Sequence, residues 1–203
     1  MKNKRILATA LGLVALAALG VTAFQIWEKQ KAFRGSEIVP PQIAAPITLQ
    51  RLDGSTYDLA AQRGRVVVLY FGFTHCPDYC PGTLAKFQQV VTRMGENASQ
   101  VDFVFVTADP DRDTPQVADE YARHFNPDFI GLSGSEEELT PTWQAYYVGR
   151  LIVPMPDSVL GYTVQHSTRS YVIDKQGNLR LTFPFEMQAA DMAHDLQLLL
   201  AEK

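Results

Sequence analysis

The chain has 203 residues, of which 46% are hydrophobic and 20% charged, a composition typical of one globular domain plus a short additional segment. Lys2, Lys4 and Arg5 supply three of its 18 positive residues, so the remainder carries 15 positive against 22 negative residues, a net charge of −7. This acidic balance argues against nucleic-acid binding, because phosphate contacts need a basic face.

The N-terminal segment predicts a membrane anchor. Residues 6–27 form a run of 22 residues without a charge, close to the ~20 apolar residues that span a bilayer as a helix. The positive cluster before it predicts a cytoplasmic N-terminus and a translocated body. Residues 21–23 resemble a signal-peptide cleavage site, but the run exceeds the usual signal core of about 7–15 residues, which favours a retained anchor. With either reading, we expect the body outside the cytoplasm, and the retained anchor would hold it at the inner membrane of a bacterium.

The remaining pattern predicts a tether followed by one α/β domain. Residues 28–46 contain three prolines and read as the tether, and residues 47–203 read as the domain, after the anchor at residues 1–27. The predicted elements, in chain order, are a hairpin (47–59), a buried strand (65–71), a helix (83–94), a strand (101–106), a helix (114–125), a strand (129–132), a helix from 135, a hairpin (167–183) and a helix (192–199).

This order of elements predicts the fold class. Strands that alternate with helices indicate a central sheet flanked by helices. A strand that leads into cysteines and a helix, with an antiparallel hairpin later, favours the thioredoxin-like version with an added N-terminal hairpin. Residues 149–165 fit no element, and a loop of that length in a compact domain is usually functional or disordered.

The chain has two cysteines, Cys76 and Cys80, which follow the strand at 65–71 and precede the helix. Thioredoxin-like redox enzymes place two residues between their cysteines, whereas three lie between these. If the helix has already begun at residue 79, both sulfurs lie about one turn apart on one face. A helix N-terminus favours thiolate, which is both a nucleophile and a metal ligand. The cysteines alone therefore leave redox chemistry and metal binding open.

His166 is the best candidate for a third metal donor, because it ends the long segment and starts the second hairpin. Two thiolates and an imidazole suit Cu(I) better than hard cations, and zinc stays open. The competing interpretation is a hydrogen-bonded loop histidine. We interpret His75 as an orienting or surface residue, and His124 and His194 as solvated.

Residues 109–115, with the sequence DPDRDTP, follow the strand at 101–106 and so lie at the same sheet edge as the cysteines. One interpretation makes Asp109 a carboxylate that supports the metal ligands within a docking surface. The other is a loop that caps the next helix through Asp113 or Thr114.

Three motifs together resemble the Sco/SenC family: FGFTHCPDYCP at residues 71–81, DPDRDTP at 109–115, and the stretch from residue 162 to 171 around His166. Members are membrane-tethered, thioredoxin-like copper proteins that help to assemble the dinuclear copper centre of cytochrome c oxidase. The resemblance implies Cys76, Cys80 and His166 as ligands of Cu(I) or Cu(II), with Asp109 as the aspartate of the second motif. Family members commonly carry Asp before the histidine, where this chain has Gln165.

The resemblance also implies partners and activities. The first hypothesis is a copper metallochaperone that serves subunit II of the oxidase, with other copper chaperones or thiol reductants as further partners and the membrane as its anchoring surface. The second is a thiol–disulfide reductase of that copper site, with Cys76 and Cys80 as catalytic residues. A third hypothesis, which rests on the two thiols and not on the resemblance, is a redox sensor, and it would give His166 no role.

Overall fold

The computed structural model describes Gly20 and residues 32–202. The chain divides into two compact units, Met1–Phe33 and Arg34–Lys203. Apart from Gly20, the predicted membrane segment at residues 6–27 lies outside the described residues. Within the part that is described, no helix combines the length and apolarity needed to cross a membrane.

Residues 34–202, the described part of the second unit, contain ten strands and four α-helices. The strands are β1 (Ser36–Ile43), β2 (Thr48–Gln50), β3 (Thr56–Asp58), β4 (Val66–Gly72), β5 (Val101–Thr107), β6 (Ile130–Leu132), β7 (Leu151–Met155), β8 (Gly161–Gln165), β9 (Ser170–Ile173) and β10 (Asn178–Phe183). The helices are α1 (Tyr79–Met94), α2 (Pro115–Phe125), α3 (Glu136–Ala145) and α4 (Ala189–Ala201).

Six strands form the central sheet in the order β1-β10-β9-β4-β5-β6. Strand β4 lies in its middle, parallel to β5 and antiparallel to β9. All seven residues of β4 are buried, since both faces of the sheet are covered. One face packs against the β2–β3 hairpin and α3, through residues that include Leu49, Phe71 and Trp143. The predicted central sheet flanked by helices, with a hairpin added before it, is confirmed.

Local sequence signals define the helix starts. Thr114 accepts a hydrogen bond from the backbone of Val117, and Pro115 occupies the first helical position of α2. Ser135 and Glu138 form a reciprocal capping box at the start of α3. Of the two predicted caps for α2, Thr114 is the one that forms.

Two segments differ from the sequence prediction. Residues 149–165, predicted as a loop, contain the antiparallel pair β7–β8. Its outward apolar residues, such as Leu151 at 58% exposure, and its prolines break the alternation that marks a half-buried strand. Within the predicted tether, β1 pairs with β10, and its register shifts between Glu37 and Gln42 around two prolines. Proline lacks an N–H and is tolerated in an edge strand such as β1. The prolines of this segment therefore do not exclude a strand, although they led to its prediction as a tether.

The strand register brings three chain segments to one edge of the sheet. Gly72 at the end of β4 pairs with Thr107 at the end of β5. Ser170 at the start of β9 pairs with Tyr70 near the end of β4. The link from β8 to β9 therefore crosses the edge at which β4 delivers its cysteine-containing turn.

Gly131 in β6 tests the packing of α2 against the sheet. A Cβ at this position would lie 2.1 Å from the carbonyl oxygen of Ala118, which is helix backbone and does not rotate away. We expect Gly131→Ala to lower the free energy of unfolding by about 3 kcal/mol or more, measured by urea denaturation.

Gly82 in α1 provides the matched control, because its Cβ would approach no atom closer than 3.5 Å. Gly82→Ala should raise the free energy of unfolding by up to about 1 kcal/mol through helix propensity. Equal effects of the two substitutions would contradict the close approach of α2 and β6.

Candidate metal centre

Cys80 lies in the first turn of α1, where it is fully buried. Its backbone N–H points at the Cys76 sulfur, with 3.4 Å between nitrogen and sulfur. A Cβ on Gly72, the last residue of β4, would lie 2.8 Å from the Cys80 sulfur. A glycine therefore ends β4 because a side chain there would displace the sulfur.

Tyr70 and His166 both contact the Cys80 sulfur. The Tyr70 hydroxyl donates a hydrogen bond to it over 3.4 Å, and the His166 Nε2 lies 3.8 Å from it. Tyr70 points to the α1 face of the sheet, where its ring packs edge-on against Phe87 and His166. The sulfur therefore lies between a hydroxyl and an imidazole on the helix side of β4.

The hydrogen bonding of His166 determines its tautomer. Nδ1 lies 2.7 Å from the backbone carbonyl oxygen of Ser167, which only accepts, so Nδ1 carries the proton. Burial lowers the pKa of His166, although the bond to Ser167 opposes this effect. The ring is therefore neutral at pH 7, and the lone pair of Nε2 faces the Cys80 sulfur, as in a histidine oriented for metal binding.

The two thiols differ in protonation. A hydrogen bond with the Cys80 side chain lowers the pKa of Cys76 to about 6, helped by backbone N–H groups at the start of α1 and opposed by partial burial. Burial raises the pKa of Cys80, as does its contact with the Cys76 sulfur. At neutral pH the site therefore consists of a half-buried thiolate at Cys76 and a buried neutral thiol at Cys80.

Across residues 32–202, no three or more His, Cys, Asp and Glu side chains already stand together as a metal site. Two of the predicted donors, Cys80 and His166, are nevertheless in contact, and the third, Cys76, bonds to the Cys80 backbone. The half-buried Cys76 side chain is the one with room to adjust. Two soft sulfurs and a neutral imidazole fit a thiophilic metal such as copper or zinc.

Asp109 stabilises the β7–β8 hairpin rather than contacting the cysteines. It is fully buried, with its Oδ2 2.5 Å from Arg112 Nε and its Oδ1 accepting from the Tyr162 hydroxyl over 2.8 Å. Arg112 in turn donates to the carbonyl oxygens of Leu160 and Tyr162. Because β8 leads directly into His166, this network positions the histidine.

Asp113 has a supporting role that the sequence prediction missed. It is fully buried and accepts hydrogen bonds from the backbone N–H and hydroxyl of Thr74, at 3.0 and 2.6 Å, and from the Thr107 hydroxyl. It thus fixes the turn before Cys76 to the end of β5. The sequence contains only a weak signal for this role, since a carboxylate before Thr-Pro is equally suited to capping a helix.

The other histidines do not join the site through any contact found in the described residues. His75 is exposed, with its Nδ1 3.1 Å from the Thr74 hydroxyl. His124 is exposed on α2, and His194 is half-buried on α4.

An open cleft of about 490 Å³ is lined by Cys76 and His166, and we call it the cysteine–hairpin cleft. One wall comes from the turn after β4 and the other from β8 and the segment after it. The lining residues are Phe73, Cys76, Pro77, Asp78, Tyr79, Thr163, Val164, Gln165, His166 and Thr168.

Comparison with known proteins identifies the family. The SCO1/SenC family model matches residues 36–201. The chain belongs to the SCO1/SenC family. The match begins at the first residue of β1, so the family domain includes the strand that the sequence prediction assigned to the tether.

Other family members are similar in sequence and structure. A SCO2-like protein of Rickettsia prowazekii is 34% identical over 151 residues, which cover 74% of each chain. The structure of Bradyrhizobium japonicum ScoI with copper bound shares 32% identity and a TM-score of 0.70, covering 78% of this chain and 99% of that one. Arabidopsis thaliana ScoI with copper bound shares 34% identity and a TM-score of 0.70, covering 77% and 97%. These likenesses confirm the thioredoxin-like α/β fold of the family.

The difference in protonation between the two thiols predicts how the rate of cysteine alkylation depends on pH. Only thiolate reacts with iodoacetamide, so alkylation of Cys76 in the reduced, metal-free protein should be half-maximal near pH 6. Below that pH the rate should fall about tenfold per pH unit, because the sulfur becomes protonated. Peptide mass spectrometry at each pH should find Cys80 unmodified under native conditions. A midpoint near the ordinary cysteine value of about 8.5, or equal labelling of both cysteines, would contradict this arrangement.

Proposed function

We propose that this SCO1/SenC protein is a copper metallochaperone that holds copper through Cys76, Cys80 and His166. The observation that carries the proposal is the contact between Cys80 and the unprotonated Nε2 of His166, beside a Cys76 that is already a thiolate. Relatives at 32% and 34% identity have been solved with copper bound, which supports copper as the metal.

The donor set suits a cargo metal that must enter and leave. Cys76 is ready to bind from the cleft, whereas Cys80 must lose a proton to become a ligand, so copper loading releases protons. Three donors leave Cu(I) open to attack by an incoming thiolate. Transfer then proceeds by ligand exchange, in which a partner thiolate binds before the ligands of this chain leave. Because imidazole is also a suitable ligand for Cu(II), the same three donors can bind copper in either oxidation state.

The recipient in this proposal is subunit II of cytochrome c oxidase, at its dinuclear copper centre. The family resemblance supports this target, and it agrees with anchoring of residues 6–27 in the inner membrane of a bacterium and with the domain on its outer side. Other copper chaperones and thiol reductants would then load the protein with copper and keep its cysteines reduced.

Copper titration tests the ligand set. We expect the reduced full-length protein in detergent to take up about one equivalent of Cu(I), measured by competition with a chromogenic Cu(I) chelator. Cys76→Ala and Cys80→Ala should abolish tight binding, because a single thiolate remains. His166→Ala should weaken binding by at least about 10-fold, because loss of a ligand should cost no less than loss of a group that only supports a ligand, which costs about 10- to 100-fold.

His75→Ala is the matched control, because His75 is an exposed histidine adjacent to Cys76. It should bind copper like the wild type. Unchanged binding in His166→Ala, or an equal loss in His75→Ala, would remove His166 from the ligand set.

Thiol–disulfide reduction is a second candidate function, which the unequal protonation of Cys76 and Cys80 favours. A Cys76 thiolate would attack the disulfide of apo subunit II, and Cys80 would then resolve the mixed disulfide. The cycle transfers two electrons, leaving a Cys76–Cys80 disulfide here and two thiols on the partner. A soluble apo subunit II fragment, oxidised and free of copper, should be reduced within minutes if this function operates. No reduction over hours would exclude it.

A further inference from the structure

Tyr70 contacts two of the three proposed ligands. Its hydroxyl donates to the Cys80 sulfur over 3.4 Å, and its ring packs edge-on against the His166 ring, with the centroids 6.3 Å apart. Tyr70 and Cys80 are both fully buried. A phenylalanine at position 70 would fill the same space in the core, and the metal transfer described above does not use the hydroxyl. The polar group at the end of this ring therefore needs an explanation of its own.

The local structure directs the Tyr70 hydroxyl at the sulfur. The Thr83 hydroxyl also lies nearby, but it donates its proton to the Tyr79 carbonyl oxygen over 2.8 Å, so it has none to give to Tyr70. Gly72 lies two residues further on the same face of β4 and leaves space for the sulfur. A Cβ there would lie 2.8 Å from the sulfur and 3.0 Å from the Tyr70 ring. The strand and the helix thus place one O–H group against one sulfur.

Few other groups can stabilise a negative charge on the Cys80 sulfur. Among the side chains of residues 32–202, Tyr70 is the one that directs a proton at it, because His166 Nε2 is unprotonated and Cys76 is a thiolate. The backbone N–H of Phe73 also favours the charged form. In the proposed function copper replaces the Cys80 proton, so the bond from the phenol becomes a bond to a thiolate. Hydrogen bonds to charged acceptors are the stronger class.

The strength of this hydrogen bond depends on the oxidation state of the metal. Cu(II) withdraws more electron density from a thiolate than Cu(I) does, so the sulfur is the better acceptor when it binds Cu(I). A donor at the sulfur therefore stabilises the Cu(I) state more than the Cu(II) state. Hydrogen bonding around a cysteine sulfur tunes the redox potential of copper sites in this way.

We propose that Tyr70 is a positioning residue that raises the preference of the site for Cu(I) over Cu(II), through its hydrogen bond to the Cys80 sulfur. In an oxidising compartment, this preference keeps the cargo in the reduced state. The inference rests on the proposed function for the metal and for Cys80 as a ligand, while the hydrogen bond itself rests on the geometry of β4 and α1.

Tyr70→Phe tests the proposal, because it removes the hydroxyl and keeps the ring that packs against His166. In the full-length protein, we expect the affinity for Cu(I) to fall about three- to tenfold relative to that for Cu(II), the effect of one lost hydrogen bond. A tenfold change corresponds to a decrease of about 59 mV in the Cu(II)/Cu(I) potential. Optical titration with redox mediators, which supply and accept the electron, measures this potential. The sulfur-to-Cu(II) charge-transfer band should move to longer wavelength, because the sulfur orbitals rise in energy without the donor.

Tyr121→Phe in α2 is the control, because it deletes a buried hydroxyl that has no hydrogen-bond partner within residues 32–202. Tyr121 lies on the same face of the sheet as Tyr70. Its ring packs against Phe105, with centroids 5.4 Å apart, and Phe105 pairs with Tyr70 across β5 and β4. This substitution should change neither the potential nor the band. An unchanged potential in Tyr70→Phe, or an equal decrease in Tyr121→Phe, would overturn the proposal.

A second measurement needs neither copper nor a variant. The buried Tyr70 hydroxyl proton should exchange slowly enough with water to be observed by proton NMR of the reduced, metal-free protein. We expect a nuclear Overhauser effect between this proton and the β-protons of Cys80. Its absence, with the proton directed at Thr83, would overturn the proposal even if Tyr70→Phe did not fold.

The two proposals fail in different ways. If the wild-type protein does not bind copper through Cys80, the proposed function and this inference are both wrong. If it binds copper through Cys80 and Tyr70→Phe leaves the potential unchanged, the inference alone is wrong.

Discussion

The contact between the Cys80 sulfur and His166 Nε2 is the constraint on which the rest of the site depends. The two residues are 86 positions apart, and their atoms lie 3.8 Å apart. The antiparallel pairing of β4 with β9 makes this possible, because it returns the chain to the edge at which β4 ends. Gly72 leaves room for the sulfur, and Tyr70 donates to it. Each of these features is a backbone or core property, so the fold itself fixes the distance between two proposed ligands.

The two sulfurs differ in burial and therefore in protonation state. A thiolate in a dry environment is unfavourable, so Cys80 stays protonated, and in the proposed function copper would replace that proton. Cys76 is half-buried at the helix start and is ionised near neutral pH. Copper would therefore meet Cys76 first, from the cleft, and reach Cys80 and His166 behind it. In the proposed function, the sulfur that would bind copper first is also the one that an incoming partner would reach, which suits a carrier better than a permanent metal site.

The supporting carboxylates act at a distance. Asp113 holds the turn before Cys76 through Thr74, and Asp109 holds the hairpin before His166 through Tyr162 and Arg112. Both lie in the loop after β5, so one short segment positions both sides of the cleft. This explains how a dense charged motif contributes to the proposed metal site without a carboxylate among the described contacts of the two cysteines.

Much of this could be predicted from the sequence, for identifiable reasons. The order of strands and helices followed from hydrophobic period and capping residues such as Thr114 and Ser135, which are local signals. The convergence of Cys76, Cys80 and His166 on one edge followed from topology. The β7–β8 hairpin could not be predicted, because outward apolar side chains and Pro154 hide its alternation. The roles of Tyr70 and Asp113 were also missed, since they depend on burial and on partners distant in the chain.

X-ray absorption at the copper edge of the Cu(I)-loaded protein tests whether the two cysteines and His166 hold the metal together. We expect two sulfur scatterers and one imidazole nitrogen, with loss of the imidazole signal in His166→Ala and its retention in His75→Ala. A copper ion bound by sulfur alone in the wild-type protein would contradict it, because the contact between Cys80 and His166 would then have no part in holding the metal.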